Sequence, residues 1–402
     1  MLTPDAHRFG FSDLTQLTEN ANNILDAIRT NMLEPHPRKV APSFTGNQLA
    51  SLCGIDSKRI PYIIKTTSEL PAGTHEGNGK RRMFSLAEAR QWINHFLPEL
   101  KKPRNKRAAT IAIVNFKGGS TKTTTAFNLA QGLTLRGRRV LLIDLDPQGS
   151  ATTLTGLLPA AEVLEEHTIA PVTYPPSNDA NAPKFDPIAH VKSIIQPTYW
   201  DGLDIIPAAP TLFNAEILLP MQSRDSRVQW WNLINQAIDP LRDEYDYIIF
   251  DTAPALSYLA VNAIIASDAL LMPIPPDNLD YASSVVFWTL LHETLGVLAK
   301  RNIHKDFAFM HVLLSRIDAN SVPQRVVKDW IIKTYGQYVL PMEIPRSPVA
   351  SVGAIQFASV YDIERYEGSA KTYSRIRDAF DQLVHMIDQS VMLSVWQIGV
   401  SK

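Results

Sequence analysis

A chain of 402 residues, 45% of them hydrophobic, is long enough for two or three domains and a sizeable core. Its single cysteine, Cys53, excludes an internal disulfide framework and a cysteine-only metal site. A net charge of -1 excludes a uniformly basic nucleic-acid binder, yet residues 1 to 108 hold 16 Lys or Arg against 10 Asp or Glu and the remainder 23 against 30. That asymmetry reads as a basic module on an acidic body. No stretch of about twenty apolar residues is free of charge or Pro, and the opening MLTPDAHRFG has no apolar signal core, so neither membrane spanning nor secretion is expected. The expected compartment is the cytoplasm.

Residues 12 to 33 place Leu14, Leu17, Ala21, Ile24, Leu25, Ile28 and Met32 at spacings of three and four, which predicts one apolar stripe on a leading helix capped by Ser12 or Asp13. The stripe needs a partner, either its own chain or a second copy. A Pro-containing connector, EPHPRKVAPS, closes the first segment, 1 to 40. From Phe44, Leu49, Leu52 and the Gly54 turn lead to Ser57 as cap of a short second helix carrying Lys58, Arg59, Tyr62 and Lys65. A loop over 73 to 79, the basic pair Arg81 and Arg82, and a third helix from Ser85 follow. This pattern resembles a MerR-like winged helix-turn-helix over 41 to 107, with helix 57 to 66 entering a major groove and Arg81 and Arg82 gripping phosphates. Pro61 falls near that helix's first turn, where its missing N–H is tolerated. A wholly protein-binding helical module is the alternative. The basic run KKPRNKR over 101 to 107 reads as a solvated linker or a further DNA contact.

The second domain, 108 to 402, opens on IAIVNFKGGSTKTT. A run of β-formers gives way to Gly118 and Gly119, then to Lys122, Thr123 and Thr124 at the head of an apolar-periodic helix. Strand, glycine turn and helix with Lys-Thr at its start build a phosphate cradle from Gly118, Gly119, Ser120, Thr121, Lys122, Thr123 and Thr124. Backbone N–H groups and the helix N-terminus face the anion, Lys122 adds a full charge, and the Thr123 hydroxyl is a magnesium ligand. Thr121 stands where the usual loop has glycine, and a β-branched residue resists positive φ, so the loop backbone is expected to differ slightly. Val140 to Asp146 predicts a buried strand ending in Asp144 and Asp146, and Asp246 to Asp251 another ending in an acid, followed by Thr252, Ala253 and Pro254. Acids at such strand ends face the phosphates, where they hold magnesium or the attacking water. Two acids beside a triphosphate require a cation, so magnesium is implied.

Residues 157 to 200, rich in Pro, predict a surface excursion, and 202 to 208 a short strand. A helix over 228 to 243 with Trp230, Trp231, Leu233, Ile234 and Ile238 is expected to cover one sheet face. Strands at 269 to 276, 309 to 317 and 338 to 345 alternate with helices from Tyr281 to Lys300 and Pro323 to Tyr335. The fold class is therefore α/β: a P-loop NTPase with a mostly parallel sheet covered on both faces, preceded by the helical, winged N-terminal domain.

The KGGxxKT loop with Lys117, the DxDPQ run and the FDTAP run resemble the deviant Walker A ATPases of the ParA/MinD family, and the N-terminal module resembles that of large plasmid-partition ParA proteins. The resemblance implies ATP or ADP with magnesium, and an ATP-sandwich homodimer in which Lys117 reaches the partner's nucleotide. It implies that Asp146 positions the hydrolytic water, that Lys117 and Lys122 stabilise the transferring phosphoryl, and that Thr123, Asp144 and Asp251 serve the metal. It further implies that Arg316 lies on the adenine side, that Arg346 faces DNA, and that the leading helix dimerises. The function so implied is DNA segregation by a nucleoid-associated ATPase that binds DNA nonspecifically, is stimulated by a centromere-bound ParB-like partner and represses its own operon at an operator. The alternatives are a nucleotide-sensing repressor without motor role and a MinD-like membrane-positioning ATPase. The ending VMLSVWQIGVSK lacks the basic face that the latter needs, and terminal packing onto the body is expected instead. The single cysteine disfavours relatives with a bridging iron-sulfur cluster, to which each subunit contributes a pair.

Overall fold

The structure is a computed structural model that describes residues 9–32, 39–75, 81–174, 185–222, 228–349, 358–364 and 366–398. The leading helix, α1, spans Phe11–Met32, with the Asp13 carboxylate accepting from the Gly10 N–H at its start. Leu14, Leu17 and Ile24 are more than half exposed, while the side chains of Leu25, Ile28 and Met32 lie outside the described residues.

The winged domain follows as β1 (Phe44–Thr45), α2 (Gly46–Cys53), α3 (Ile60–Thr66), β2 (Thr74–His75), β3 (Arg82–Phe84) and α4 (Leu86–Phe96). Thr45 and Gln48 form a capping box on α2, and Gly54, at φ 65, closes it in the left-handed region. Asp56, and not Ser57, caps the next turn: its carboxylate accepts from Lys58 N at the start of a 3-10 turn over Ser57–Arg59 that runs into α3. A carboxylate is the stronger acceptor beside orphan N–H groups. Pro61 sits in the first turn of α3, as expected. β3 pairs antiparallel with both β1 and β2, so the wing is a small sheet.

The body is one eight-stranded sheet in the order β11-β10-β9-β4-β8-β5-β7-β6. Its strands are β4 (Ala109–Ile113), β5 (Val140–Asp144), β6 (Gln196–Pro197), β7 (Leu203–Ile206), β8 (Tyr247–Asp251), β9 (Ala269–Ile274), β10 (Phe309–Ile317) and β11 (Val339–Pro345). Every neighbouring pair is parallel except β6 with β7. β4, β5 and β8 are buried along their whole length, which is why they read as unbroken apolar runs. β5 ends at Asp144, so Asp146 lies in the following loop and not on the strand.

Helices cover both faces: α5 (Lys122–Thr134), α6 (Ser150–Leu154), α7 (Pro159–Glu162), α8 (Ala170–Thr173), α9 (Pro187–Ser193), α10 (Phe213–Gln222), α11 (Leu233–Ile238), α12 (Leu241–Glu244), α13 (Tyr258–Ala266), α14 (Asn278–Ala299), α15 (Val322–Tyr335) and α16 (Ala370–Ser390). The expected surface excursion over 157 to 200 is corrected: its described part is a chain of short helices that buries Ile169, Val172, Val191 and Trp200. The expected helix over 228 to 243 is split into α11 and α12 by Pro240, with Trp231 buried in the turn before it. By length and composition α14, with a mean hydropathy of 1.3, is long and apolar enough to cross a membrane. Its buried Asp280, Ser284, Phe287 and Leu291 recur at helical spacing, as in a helix lying on a sheet. After α16 the chain packs back, with Trp396 buried and its indole N–H donating to Arg107 O at 3.0 Å.

The winged domain and the body share one continuous core. Arg90 of α4 is the polar tie, donating to Thr134 O and Arg138 O and pairing with Asp201. The 101 to 107 run is likewise held down: Lys102 donates to Tyr245 O, and Arg107 pairs with Asp239 and Asp243.

Candidate functional site

The site forms where the central strand β4 hands over to α5, at the C-terminal ends of the parallel strands, the place where open α/β sheets bind ligands. Gly118 and Gly119 are exposed and have no atom within 4 Å of where a Cβ would stand, so the loop backbone faces open space. A cavity of about 480 Å³ is lined by the loop from Gly118 to Thr124, by Asp146, by Thr153 and Leu154 of α6, by Pro254 and by the 358 to 360 turn. Buried polar atoms without hydrogen-bond partners collect here: Ser120 Oγ, Thr121 Oγ1 and both carboxylate oxygens of Asp251. Buried polar groups are normally satisfied, so such a collection marks a place built for a polar ligand.

Thr121 overturns the expectation that the loop would avoid positive φ. It sits at φ 71, in the left-handed region that glycine normally supplies there. Holding an L-residue in that region costs about 1–2 kcal/mol, and glycine's extra chain entropy costs roughly 0.5–1 kcal/mol. Thr121→Gly is therefore expected to stabilise the nucleotide-free chain by about 0.5–1 kcal/mol, read as a raised midpoint in urea. An unchanged or lowered midpoint would show that the threonine is held without strain.

Lys122 is buried at 6% exposure, and its ammonium donates to Lys117 O at 3.2 Å. Burial pulls its pKa down, opposed by Asp251 and Asp146. Asp251, fully buried at the end of β8, is pushed well above the usual carboxylate range by burial and then by Asp144, its neighbour across the strand register. The Thr123 hydroxyl lies near enough to ease that charge, although no hydrogen bond of regular geometry forms. Asp144 is pushed up to about 6 by burial, but its oxygens are taken: Oδ1 accepts from Asp146 N, and Oδ2 from the backbone and hydroxyl of Thr152. It braces the loop that carries Asp146. Among the described residues no group of three His, Cys, Asp or Glu side chains could hold a metal alone. Asp251 and Thr123 together fit a magnesium ion whose remaining ligands come from water and phosphate, and the bare Asp251 carboxylate is the observation that supports it.

Lys117 points away from its own loop. Its ammonium pairs with Asp280, at the start of α14, at 2.6 Å, while Asn115 fixes the backbone by accepting from Lys117 N. Nothing in the sequence linked positions 117 and 280.

A second cavity, of about 270 Å³, lies on the other side of Thr121 and Thr124. Arg316 and Arg346 both line it. Arg316 is exposed, holds φ 54 at an irregularity in the β10 and β11 pairing, and donates to Gly119 O at 3.3 Å. Arg346 is therefore beside the phosphate loop.

In the winged domain Lys58, Arg59, Tyr62 and Lys65 are exposed on the 57 to 66 segment, with Tyr62 at 69%. Ser57, Lys65, Arg81 and Arg82 line one groove between that segment and the wing. Arg82 is partly committed within the wing, donating to Ala72 O and bonded to His75, while Arg81 is exposed.

A family model described as an AAA domain matches residues 108–304. A putative replication protein A of Sinorhizobium fredii is 28% identical over 361 residues, 86% of this chain and 85% of the relative. The sporulation initiation inhibitor protein Soj of Bacillus subtilis is 34% identical over 238 residues, 59% of this chain and 84% of Soj. The chromosome partitioning protein ParA of Myxococcus xanthus is 32% identical over 248 residues, 60% of this chain and 78% of the relative. A solved partition protein superposes with a TM-score of 0.67 at 19% identity, covering 96% of this chain and 98% of its own. That likeness takes in the N-terminal module as well as the sheet.

Proposed function

This chain belongs to the ParA family of partition ATPases, and from that premise we propose that it binds and hydrolyses ATP in the cavity at the head of α5, using hydrolysis as a switch in DNA segregation. The single observation that carries the reading is the pairing of the phosphate loop with the bare, buried carboxylate of Asp251. Lys122 neutralises phosphate charge, and the N–H groups of Gly118 to Thr124 hold the oxygens. Asp251 and Thr123 would hold magnesium, which would offset the charge of the phosphates. Asp146 positions the attacking water, and Asp144 fixes the loop on which Asp146 rides. Arg316 lies on the adenine side, and Arg346, on the same second cavity, faces DNA.

The reading divides the chain into three parts: 1 to 40 for dimerisation through the exposed stripe of α1, 41 to 107 for DNA, and 108 to 402 for ATP. On closing an ATP-bound homodimer, Lys117 exchanges its own Asp280 for the partner's nucleotide, so the closed state must offset the loss of a short ion pair. The closed dimer binds DNA through phosphates without sequence preference, with affinity that falls steeply with salt. The 57 to 66 segment, with Lys58, Arg59, Tyr62 and Lys65, reads an operator while Arg81 and Arg82 grip its phosphates, and binding there represses the operon. A centromere-bound ParB-like protein triggers hydrolysis. Packing of Trp396 against the body argues against a membrane-seeking C-terminal helix.

The test is the hydrolysis rate of the full chain with nonspecific DNA and the centromere-binding protein, alone and together. Synergistic stimulation that disappears in Lys117→Ala is expected. Turnover that no partner changes, alongside tight operator binding, would favour a nucleotide-sensing repressor instead.

A further inference from the structure

Lys39 belongs to the connector between α1 and the winged domain, yet its side chain is seated in the body. The ammonium donates to Leu154 O at 2.7 Å, to Tyr199 Oη at 2.9 Å and to Asp362 Oδ2 at 2.9 Å. The Tyr199 ring lies 4.4 Å from it and the Phe127 ring 5.8 Å. The stem passes Gly156, at φ 93, where a Cβ would stand 3.4 Å from Lys39 Cγ. A second tie, Ser43 N to Glu364 Oε1 at 3.2 Å, holds the same connector.

This seat shares its walls with the nucleotide cavity. Leu154, whose carbonyl takes the ammonium, lines that cavity at the end of α6, and α6 begins just after the loop of Asp146. Across the cavity, Ser359 N donates to Asp362 Oδ2 at 2.8 Å, the oxygen that also holds Lys39. Gln131 of α5 completes the link, donating to Asp362 Oδ1 and accepting from the Ser359 hydroxyl. Two of the described partners of Lys39, Leu154 and Asp362, are thus fixed by elements that a triphosphate in the cavity would press or pull. An ammonium this buried tolerates the loss of partners poorly, because desolvation is no longer offset.

We propose that Lys39 is a coupling pin: nucleoside triphosphate in the cavity unseats it, and its release frees the connector between α1 and the winged domain. The inference rests on the nucleotide reading of the cavity. Because coupling is reciprocal, seating of Lys39 in turn biases the cavity toward its triphosphate-free form.

The experiment is amine-directed labelling of the full chain followed by mass spectrometry, without nucleotide and with magnesium plus a non-hydrolysable ATP analogue. With the analogue, Lys39 is expected to label several-fold faster and Lys122 more slowly, while the exposed Lys300 stays constant. Protection of Lys122 with an unchanged Lys39 rate would overturn the pin and leave the nucleotide site standing. An unchanged Lys122 would overturn the nucleotide reading and the pin with it. Amide exchange over 44 to 53 is expected to rise with the analogue in the natural chain and to be insensitive to it in Lys39→Met; no rise in the natural chain, or a response retained in the variant, would also overturn the pin.

Discussion

Lys122→Ala is expected to weaken ATP binding by about 30-fold to several thousand-fold, the roughly 2–5 kcal/mol lost when one partner of a buried charge pair is truncated. Lys122 is the one lysine that the cavity buries, and burial has already stripped its ammonium of water. Its bond to Lys117 O aims it along the loop, so a phosphate would meet a charge already desolvated and oriented. Alanine keeps the helix, being a good helix former at the first position of α5. Fluorescent-nucleotide titration of a variant shown to melt cooperatively separates binding from folding. Affinity equal to the natural chain would remove the lysine from the site.

Asp251→Asn is the second large effect, and it runs in opposite directions for stability and activity. The fold raises the carboxyl pKa, so the folded chain favours the neutral acid. Below the unfolded pKa of about 3.9 both states are protonated and nothing is lost. As pH rises through that value toward the raised folded pKa, the unfolded chain ionises freely while the folded chain keeps its proton, and stability falls. Asparagine undergoes no such ionisation. The nucleotide-free, magnesium-free variant is therefore expected to match the natural chain near pH 4 and to melt progressively higher from there to pH 7. Asp144, pushed up to about 6, adds its own loss in the same window and remains in both proteins. Hydrolysis with magnesium is expected to drop by about 100-fold or more, because the side chain that holds the ion is neutralised. Thermal melts from pH 4 to 8 and a phosphate-release assay check the two halves. A variant that melts lower at neutral pH would mean that Asp251 has a stabilising partner in solution.

Much of this was legible in the chain because buried parallel strands write themselves as continuous apolar runs and because the phosphate loop needs glycines and lysine in fixed order. β4, β5 and β8, the loop from Gly118 to Thr124 and the acids at 144 and 251 were all placed by that logic. α13 went unread because it is buried nearly all round and has no polar face to set a period. α10 was hidden by Pro220 inside it, and the short helices α7 to α9 are too brief to show periodicity. The long amphipathic α16 carried a readable stripe, Ile376, Phe380, Leu383, Val384 and Ile387, that was passed over. What no local pattern could supply were the long-range pairs. Asp280 waits 163 positions from Lys117, and Lys39 finds its partners at 154, 199 and 362. Nor could local pattern show that Arg346, which the resemblance turns toward DNA, lies beside Arg316 and the phosphate loop.

The central claim, that the loop before α5 and Asp251 hold a magnesium nucleotide, is tested most directly by calorimetric titration of the full chain with ATP, once with magnesium and once with a chelator. The account predicts saturable binding of a single ATP per chain that tightens in magnesium and is lost in Lys122→Ala. Absence of binding, or binding that ignores both the chelator and the loss of Lys122, would contradict it.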